Sequence, residues 1–423
     1  MALGIAGLAI LLILLGLPLF VAISITATLQ FANLDIDPTV VIVELYRVAS
    51  APTLLAIPLF TLVGYVLAES KAPKRLLNLA DALLGWLPGG VAIVSFSTCA
   101  LFTCFTGASG ITIIALGGLI YPILRKNNYS EKFSHGLITS SGSLGLLFPP
   151  SLPLILYGII ASVSIDKLFI AGILPGILII VLLSIYSIQQ DISHVAQRTK
   201  FSFKRLIAAI NESKWELPIP IVVIGGIYGG FITAVEASSI TAFYVIIAES
   251  VINKDINLRK DLLPIVRDSV QLVGGILIIL CCSMGLTAYF IDAQIPQTAL
   301  IWIKGIVSSK IAFLLLLNIF LLVTGAVLDI FSAIIIVVPL IVPIATSYGI
   351  NPIHLGIIFL TNLEIGYITP PIGLNLFISS FRFKKPILYF YKVSLPFLAI
   401  MLIALLIITY IPSISLFLVN LFK

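Results

Sequence analysis

The sequence predicts an all-α, polytopic membrane protein made of two inverted-topology repeats, and three observations predict this fold class. The 423-residue chain is 60% hydrophobic and only 10% charged, whereas soluble domains carry about 25% charged residues. Apolar stretches of about 20 residues, enough to cross a hydrocarbon core of roughly 30 Å, recur along its whole length. The two halves of the chain also share motifs at a nearly constant spacing.

The apolar runs predict single crossings and two longer stretches. The first run is too long for a signal peptide and lacks a basic start, so it is read as a membrane helix. Stretches 90–124 and 311–345 are too long for one straight helix, and each has a Thr-Gly-Ala near its middle. They predict two re-entrant hairpins, which are allowed only where the tip lies in protein or a watery cavity; two ordinary kinked spans are the alternative. The predicted crossings are 4–29, 51–69, 134–161, 167–189, 217–233, 236–252, 269–291, 353–380 and 387–418.

The basic residues predict the orientation. Loop 190–216, the segment 254–267 and the residues after Ser380 are rich in Lys and Arg, and such loops stay in the cytoplasm. All three lie on one side if the long stretches are re-entrant, which places the N-terminus inside and the C-terminus outside. The net charge of +6 is therefore assigned to these loops and not to nucleic-acid binding. Loop 190–216 is long enough for a surface helix but not for a domain.

An internal repeat divides the chain at about residue 210, with residues 1–210 and 211–423 as its halves. Pro149-Pro150 matches Pro370-Pro371 at an offset of 221 residues, and Gly145 matches Gly366 at the same offset. The Thr-Gly-Ala motifs match at 218, a slip of three residues. Lys and Arg flank the first long stretch, whereas the matching segments 292–297 and 345–354 around the second contain neither, so the two hairpins are expected to open to opposite faces, as in many secondary transporters.

The proline pairs predict a site near mid-membrane. Proline interrupts a helix, and the break frees carbonyls that suit a cation and helix N-termini that suit an anion. Small polar residues cluster beside both breaks, although such residues also serve as helix–helix contacts in membranes. The candidate ion- and substrate-binding residues are Thr106, Gly107, Ala108, Ser109, Ser140, Ser141, Gly142, Ser143, Gly145, Pro149 and Pro150 in the first half, and Thr324, Gly325, Asp329, Asn362, Glu364, Gly366, Thr369, Pro370 and Asn375 in the second.

Three acids lie within or at the ends of apolar runs, where ionisable groups are costly and are functional candidates by default. Asp329 either serves the site or caps the second half of its hairpin. Glu364, two residues before Gly366, is a candidate for cation contact or proton transfer. Glu236 either serves the site or starts a helix. The four cysteines show no metal-ligand or disulfide spacing, and no Walker loop is present.

Several motifs resemble the large membrane subunit of the tripartite ATP-independent periplasmic, or TRAP, transporters. They run nearly from end to end of the chain. They are Leu55-Ala56-Ile57-Pro58-Leu59-Phe60, Gly85-Trp86-Leu87-Pro88-Gly89-Gly90, Phe105-Thr106-Gly107-Ala108-Ser109-Gly110, Pro149-Pro150-Ser151-Leu152-Pro153, Ala171-Gly172-Ile173-Leu174-Pro175-Gly176 and Gly366-Tyr367-Ile368-Thr369-Pro370-Pro371-Ile372-Gly373-Leu374-Asn375-Leu376-Phe377.

The resemblance implies an elevator-type carrier of the ion-transporter superfamily in the bacterial inner membrane. A transport domain of about 90–165 and 311–382 would move against a scaffold formed by the remainder. The implied partners are a small four-helix membrane subunit, a periplasmic substrate-binding protein and an organic anion. Sodium would be the coupling ion, with no organic cofactor. The implied sodium positions are near Thr106, Ser109 and Ser141, and near Thr324, Gly366 and Thr369.

Two other functions were weighed against a sodium-coupled TRAP subunit. A stand-alone carrier of the same superfamily would use sodium, or protons through Asp329 or Glu364. An integral-membrane enzyme would need polar catalytic residues gathered in a large extramembrane loop, and the sequence has none; no enzymatic activity is expected. The substrate stays open among C4-dicarboxylates, sialic acid, other sugar acids and sulfonates.

Overall fold

The computed structural model describes residues 16–191, 201–307 and 309–421, and these residues form helices and connecting turns with no strand. The predicted first span, 4–29, is thus described only from residue 16, and residues 192–200 of the predicted loop fall outside the described part. The α-helices in chain order are α1 Leu19–Asn33, α2 Thr39–Ala49, α3 Ala56–Glu69, α4 Ala72–Leu84, α5 Gly90–Thr106, α6 Ser109–Lys126, α7 Glu131–Ser141, α8 Leu152–Ile160, α9 Ile165–Asp191, α10 Phe203–Glu212, α11 Pro218–Tyr228, α12 Ala234–Ile247, α13 Leu262–Asp292, α14 Ile295–Ile306, α15 Lys310–Val327, α16 Ile330–Ser347, α17 Pro352–Gly366, α18 Leu374–Phe383, α19 Ile387–Tyr410 and α20 Pro412–Leu421. Short 3-10 turns at Pro52–Leu55 and Leu144–Leu147 and a π-helical turn at Ala248–Ile252 complete them.

Eight helices of the described part are long and apolar enough to cross a membrane, and the bent pair α7–α8 makes a possible ninth. They include the predicted crossings 51–69, 167–189, 236–252 and 269–291. Helices α6, α15 and α16 also reach 18 residues, about 27 Å of helix. Length therefore does not decide whether 90–124 and 311–345 enter and leave on one side or cross, and re-entry stays a prediction.

The chain reverses direction inside both long stretches. In the first pair, α5 and α6, the hydroxyls of Thr103 and Thr112 lie 2.8 Å apart across the turn. In the second pair, α15 and α16, the rings of Phe313 and Tyr348 stack at 4.3 Å, which brings the outer ends of the two helices together. Each pair is thus an antiparallel helical hairpin.

The repeated elements keep one spacing in the structure. Helices α6 and α16 begin at Ser109 and Ile330 and end at Lys126 and Ser347, so both of their ends are 221 residues apart. The first tip is at 107–108 and the second at 328–329. The sequence-based placement of the second tip within Thr324-Gly325-Ala326 is therefore wrong, because α15 continues through these residues to Val327. The apparent slip of three residues disappears.

Two helices are interrupted at the proline pairs. Helices α7 and α8 are bent by 45° across the first break, residues 142–151. Helices α17 and α18 are separated by the second break, residues 367–373. Both prolyl–prolyl bonds are cis. Proline has no backbone N–H to donate to the preceding turn, so each pair ends one helix before the next begins.

Two differences from the predicted crossings have local causes. The predicted run 387–418 is two helices, because the residue before Pro412 is held out of the α region. The predicted span 217–233 is shorter, since α11 ends at Tyr228 before Gly229 and Gly230, which has a positive φ. The surface helix expected in loop 190–216 is present as α10.

The hairpins and broken helices share one hydrophobic core, and the first half meets the second inside it. Tyr157 of α8 is fully buried, and its hydroxyl donates to the carbonyl oxygen of Pro352 at the start of α17 (2.8 Å). Helices α9 and α19 pack against this core. Helix α13 packs mainly against α1, α2 and α3, and its residues Val273, Ile276 and Leu280 also join the core. Helices α7, α8 and α17 are therefore largely enclosed, as a site inside a membrane protein requires.

Candidate ion and substrate site

The first tip packs tightly against the first break. The hydroxyl of Thr103 donates to the carbonyl oxygen of Gly142 (2.9 Å). A β-carbon on Gly145 would lie only 2.2 Å from the carbonyl oxygen of Ala100. The backbone of hairpin α5/α6 thus lies directly on the backbone of the break, which explains why the repeat has a glycine at this position.

The second tip makes the corresponding contact with the second break. The amide of Gly373 donates to the carbonyl oxygen of Ala326 (3.1 Å). The amide of Ile330 donates to the hydroxyl of Tyr367 (2.8 Å). A β-carbon on Gly366 would lie 2.4 Å from the carbonyl carbon of Gly325. Each tip is therefore fixed to the break of its own half.

The two breaks also contact each other. The side-chain amide of Asn375 donates to the carbonyl oxygen of Thr139 (3.2 Å) and lies 3.4 Å from the hydroxyl of Ser143. That hydroxyl donates in turn to the carbonyl oxygen of Glu364 (3.4 Å). Side chains predicted separately in the two halves are thus brought together at one place.

Two first-half hydroxyls have the properties of cation ligands. Thr106 is fully buried, and its hydroxyl makes only long contacts, 3.4 Å and 3.5 Å, to carbonyl oxygens. The hydroxyl of Ser109 is buried and has no hydrogen-bond partner among the described residues. They flank Gly107, which has a φ of +63° that glycine adopts without strain. A bare cation beside this tip would satisfy the unpartnered oxygen of Ser109 and would give the oxygen of Thr106 a second, closer partner.

Other predicted ligands hold their own helices. The hydroxyl of Ser140 donates to the carbonyl oxygen of Gly136 (2.9 Å), and that of Ser141 contacts the carbonyl oxygen of Ile138 (3.2 Å) and the Sγ atom of Cys99. These bonds are the ordinary use of serine inside membrane helices. Both serines thus have protein partners in this structure, and their role as ion ligands stays a prediction.

In the second half, several predicted ligands already have protein partners. Asp329 caps α16, because its carboxylate accepts from the amides of Phe331 and Ser332, both at 3.0 Å. The hydroxyls of Thr324 and Thr369 each donate to a carbonyl four residues earlier, both at 2.8 Å. Asp329 thus has the capping role that was its alternative. Glu236 likewise forms a capping box at the start of α12.

Glu364 is the predicted residue whose environment is least satisfied. Its side chain is fully buried, and neither carboxylate oxygen has a hydrogen-bond partner in the described residues. The carbonyl oxygen of the nearby Asn375 amide is also unpartnered. A carboxylate removed from water without a partner is strongly unfavourable. A proton or a cation is needed to keep Glu364 in this position.

Asn318, which pairs with the predicted Asn362 beside the second break, was missed by the sequence analysis. Asn362 donates to the Oδ1 atom of Asn318 (2.8 Å), and the amide of Asn318 donates to the hydroxyl of Thr409 (3.1 Å). The available signal was an isolated asparagine in the otherwise apolar run of α15. These hydrogen bonds join α15, α17 and α19.

The two breaks differ in exposure. Pro149 and Pro150 are buried, whereas Pro370 and Pro371 are exposed. The second break is held from outside by α19, where the hydroxyl of Tyr391 donates to the carbonyl oxygen of Pro371. The site is thus closed at the first break and open at the second.

Comparison with known families identifies the group of proteins that shares this arrangement. The family model described as the Tripartite ATP-independent periplasmic transporter, DctM component, matches residues 6–414. The chain belongs to this TRAP family. It is 34% identical to the C4-dicarboxylate TRAP transporter large permease protein DctM of Pseudomonas aeruginosa, over 89% of this chain and 88% of that protein.

Another TRAP relative is the isethionate TRAP transporter permease protein DctMQ of Oleidesulfovibrio alaskensis. The chain is 35% identical to it over 86% of its own length, and spans 58% of that relative's length. In fold, the chain resembles the YdaH transporter of Alcanivorax borkumensis, with a TM-score of 0.61 at 14% identity, covering 85% of this chain and 84% of that one. The latter likeness concerns the fold alone.

Membership of the TRAP family confirms several predictions. The chain is a multi-pass membrane transport subunit, and its relatives are permease subunits and not enzymes. The family is tripartite, so a small permease and a periplasmic binding protein belong to the same kind of system. The resemblance drawn from the motifs is thus confirmed over nearly the whole chain.

Proposed function

We propose that this chain is the large membrane subunit of a sodium-coupled TRAP system that imports an organic anion delivered by a periplasmic binding protein. The observation that carries the proposal is the meeting of both breaks with both tips, where Ser109 offers a buried, unpartnered hydroxyl and Thr106 a buried hydroxyl held only by long hydrogen bonds. Neutral oxygens are hard ligands suited to sodium. The freed helix ends at the breaks suit a carboxylate or sulfonate.

The transport step in this proposal is an elevator movement. The two hairpins and two broken helices form one packed body, and polar contacts between its halves hold the site together while it moves. Residues of the scaffold, such as those of α13, pack instead on α1 to α3. A small four-helix subunit would extend this scaffold in the inner membrane, with the basic loops in the cytoplasm.

The proposal is tested by reconstituting the chain with the small subunit and the binding protein of its TRAP system. Uptake of radiolabelled C4-dicarboxylates and of isethionate is measured with and without an inward sodium gradient. Uptake that requires both the binding protein and sodium supports the proposal. Equal rates with and without sodium contradict the coupling, and uptake without the binding protein contradicts the tripartite mechanism.

Removing single site hydroxyls is expected to weaken sodium coupling. In Thr106→Val and Thr369→Val, loss of one ligand should reduce the apparent sodium affinity about tenfold, which corresponds to about 1.4 kcal/mol. The matched control is Thr346→Val, since Thr346 is an exposed threonine that also bonds only to its own helix. Wild-type sodium dependence in both site variants would contradict this assignment.

The second candidate is proton coupling through Glu364, and its unpartnered carboxylate favours it. In this case Glu364→Gln would transport substrate down its gradient but would no longer respond to a pH gradient. Sodium dependence would be unchanged. A pH-driven wild type and a pH-insensitive variant would establish this alternative, and a wild type that ignores the pH gradient would exclude it.

A further inference from the structure

One arginine joins helix α4 to three other segments of the chain. The guanidinium of Arg75 contacts the carboxylate of Glu216, that of Glu249 at 2.7 Å and that of Asp255 at 2.5 Å. The three carboxylates are 2%, 1% and 4% exposed. Glu216 precedes α11, Glu249 lies in the π-helical turn after α12 and Asp255 lies before α13. The arginine is thus the common partner of the segments that connect α11, α12 and α13.

A second set of contacts holds α4 at the same end of the molecule. Arg205 of α10 forms an ion pair with Asp81, and Asn78 contacts Glu212 (3.3 Å). A small apolar cluster of Leu79, Ala82 and Ala209 lies between the two helices. The opposite face of α4 packs against α5, with Leu77 and Ala80 among the apolar side chains on that side. Directional polar contacts therefore hold α4 on one side, and non-directional contacts hold it on the other.

Helix α14 precedes the second hairpin as α4 precedes the first, but its polar contacts are with that hairpin and not with the other helices. The hydroxyl of Tyr348, just after α16, donates to the carbonyl oxygen of Val307 after α14 (2.6 Å). The ammonium of Lys304 lies 5.7 Å from the centre of the same tyrosine ring. No ion pair among the described residues joins α14 to α11, α12 or α13. Helix α14 is thus fastened to the hairpin that follows it.

The connections at the other ends of these helices complete the contrast. Between α4 and α5 lie residues 85–89, with two glycines and a proline, and Gly89 has a φ of +68°. Between α13 and α14, Gln294 has a φ of +52°, a conformation uncommon for a residue with a side chain. These connections lie at the end of α4 opposite Arg75, where Asp81 still pairs with Arg205, and at the end of α14 opposite Lys304.

We infer that α4 stays with the scaffold through Arg75 while α14 travels with the second hairpin, so that the two inverted halves bend at non-equivalent joints. This inference rests on the proposed elevator movement. The first half bends at residues 85–89 and slides across the apolar α4/α5 contact. The second half bends at 293–294. The moving body then extends from residue 295 in the second half but only from residue 90 in the first, and Arg75 is a positioning residue for transport.

One carboxylate of the cluster around Arg75, that of Glu216, is expected to make the stability of the protein depend on pH. Burial away from water raises the pKa of Glu216 from 4.5 to about 7. Because the folded protein holds this proton more tightly than the unfolded chain, the stability contributed by Glu216 falls as pH rises through this window. The charged and titratable groups that face it are Arg75, Glu249, Asp255, Lys71 and Tyr244.

The expected result is that the apparent Tm of the wild type declines relative to that of Glu216→Gln as pH rises from the ordinary carboxyl range to above neutrality. The glutamine fills the same space and does not titrate. A difference between the two proteins that grows in favour of the wild type at high pH would show that the ion pair with Arg75 dominates instead.

The inference itself is tested by distances between spin labels in the reconstituted complex, with and without sodium and substrate, after replacement of the four native cysteines by serine. The pairs Lys74/Lys260 (α4 to the segment before α13) and Ile301/Thr346 (α14 to α16) each lie within one body, and their distances are expected to stay constant. The pairs Lys74/Leu101 (α4 to α5) and Ile301/Val270 (α14 to α13) join the two bodies, and their distances are expected to change by several ångströms. In Arg75→Lys, which keeps the charge but cannot reach three carboxylates in the same geometry, the Lys74/Lys260 distribution should broaden.

The outcomes separate the two proposals. If Lys74/Lys260 changes while Lys74/Leu101 stays constant, α4 moves with the hairpin and the inference is overturned, although the elevator movement survives. If the hairpin-to-scaffold pair Leu101/Val270 and all others stay constant, the elevator movement itself is refuted. An unchanged Lys74/Lys260 distribution in Arg75→Lys would show that the arginine is not the residue that fixes α4.

Discussion

Gly366→Ala is expected to abolish transport and to reduce the free energy of unfolding by about 1–3 kcal/mol, as overpacking of an interior does. The added β-carbon would lie 2.4 Å from the carbonyl carbon and 2.6 Å from the Cα atom of Gly325. These are backbone atoms, so no side chain can rotate away. The second tip must move away from the second break. Uptake and the apparent Tm of the purified protein are the measurements.

The control for Gly366→Ala is Gly274→Ala. Gly274 lies inside α13, and a β-carbon there would meet no atom within 4 Å. Alanine is favoured over glycine in a helix interior by about 1 kcal/mol, so this variant should be as stable as the wild type or more so. Equal transport in the two alanine variants would show that the tip does not need this close approach.

Arg75→Ala is expected to lower the free energy of unfolding by about 3–5 kcal/mol, the usual effect of removing one partner from a buried ion pair. Glu216 and Glu249 would remain almost completely buried without their cation. Lys71, which contacts Asp255 at 3.1 Å, is 75% exposed and cannot replace a buried guanidinium. The measurement is the apparent Tm in detergent, followed by the fraction of protein that stays monodisperse on heating.

The control for Arg75→Ala is Arg205→Ala. Arg205 also pairs with an acid and also links α4 to a neighbouring segment, but its side chain is 47% exposed and that of Asp81 28%. Exposed pairs contribute about 0–1 kcal/mol. A similar loss of Tm in both variants would mean that burial of the carboxylates is not what makes Arg75 important.

Much of the architecture was predictable because membrane-spanning helices need long apolar runs and proline pairs interrupt helices. The contacts of Gly145 and Gly366 explain why the repeat is visible in sequence at those glycines: the backbones touch there, and only glycine fits. The second tip was misplaced because Thr324-Gly325-Ala326 has the same sequence as the first tip, Thr106-Gly107-Ala108. The actual turn is made by Leu328 and Asp329, which resemble nothing in the first half.

The site was predictable as a region but not residue by residue. A serine beside a break is compatible with an ion ligand or with a bond to its own helix, and only the geometry separates Ser109 from Ser140. The ion-pair cluster around Arg75 could not be predicted, because its three carboxylates lie 141, 174 and 180 residues after the arginine in the chain. Such pairings depend on the packing of whole helices.

The hydrogen bonds from Asn362 through Asn318 to Thr409 have a consequence for helices α19 and α20. In a hydrocarbon interior such bonds have no water to replace them, so in the proposed elevator movement we expect α19 to travel with α15 and α17 rather than with the scaffold to which the sequence analysis assigned it. His354 of α17 adds a second connection, to Ser415 of α20 (3.2 Å). In that movement a fluorophore attached after α20 would be displaced together with the site, so its signal would follow each turnover.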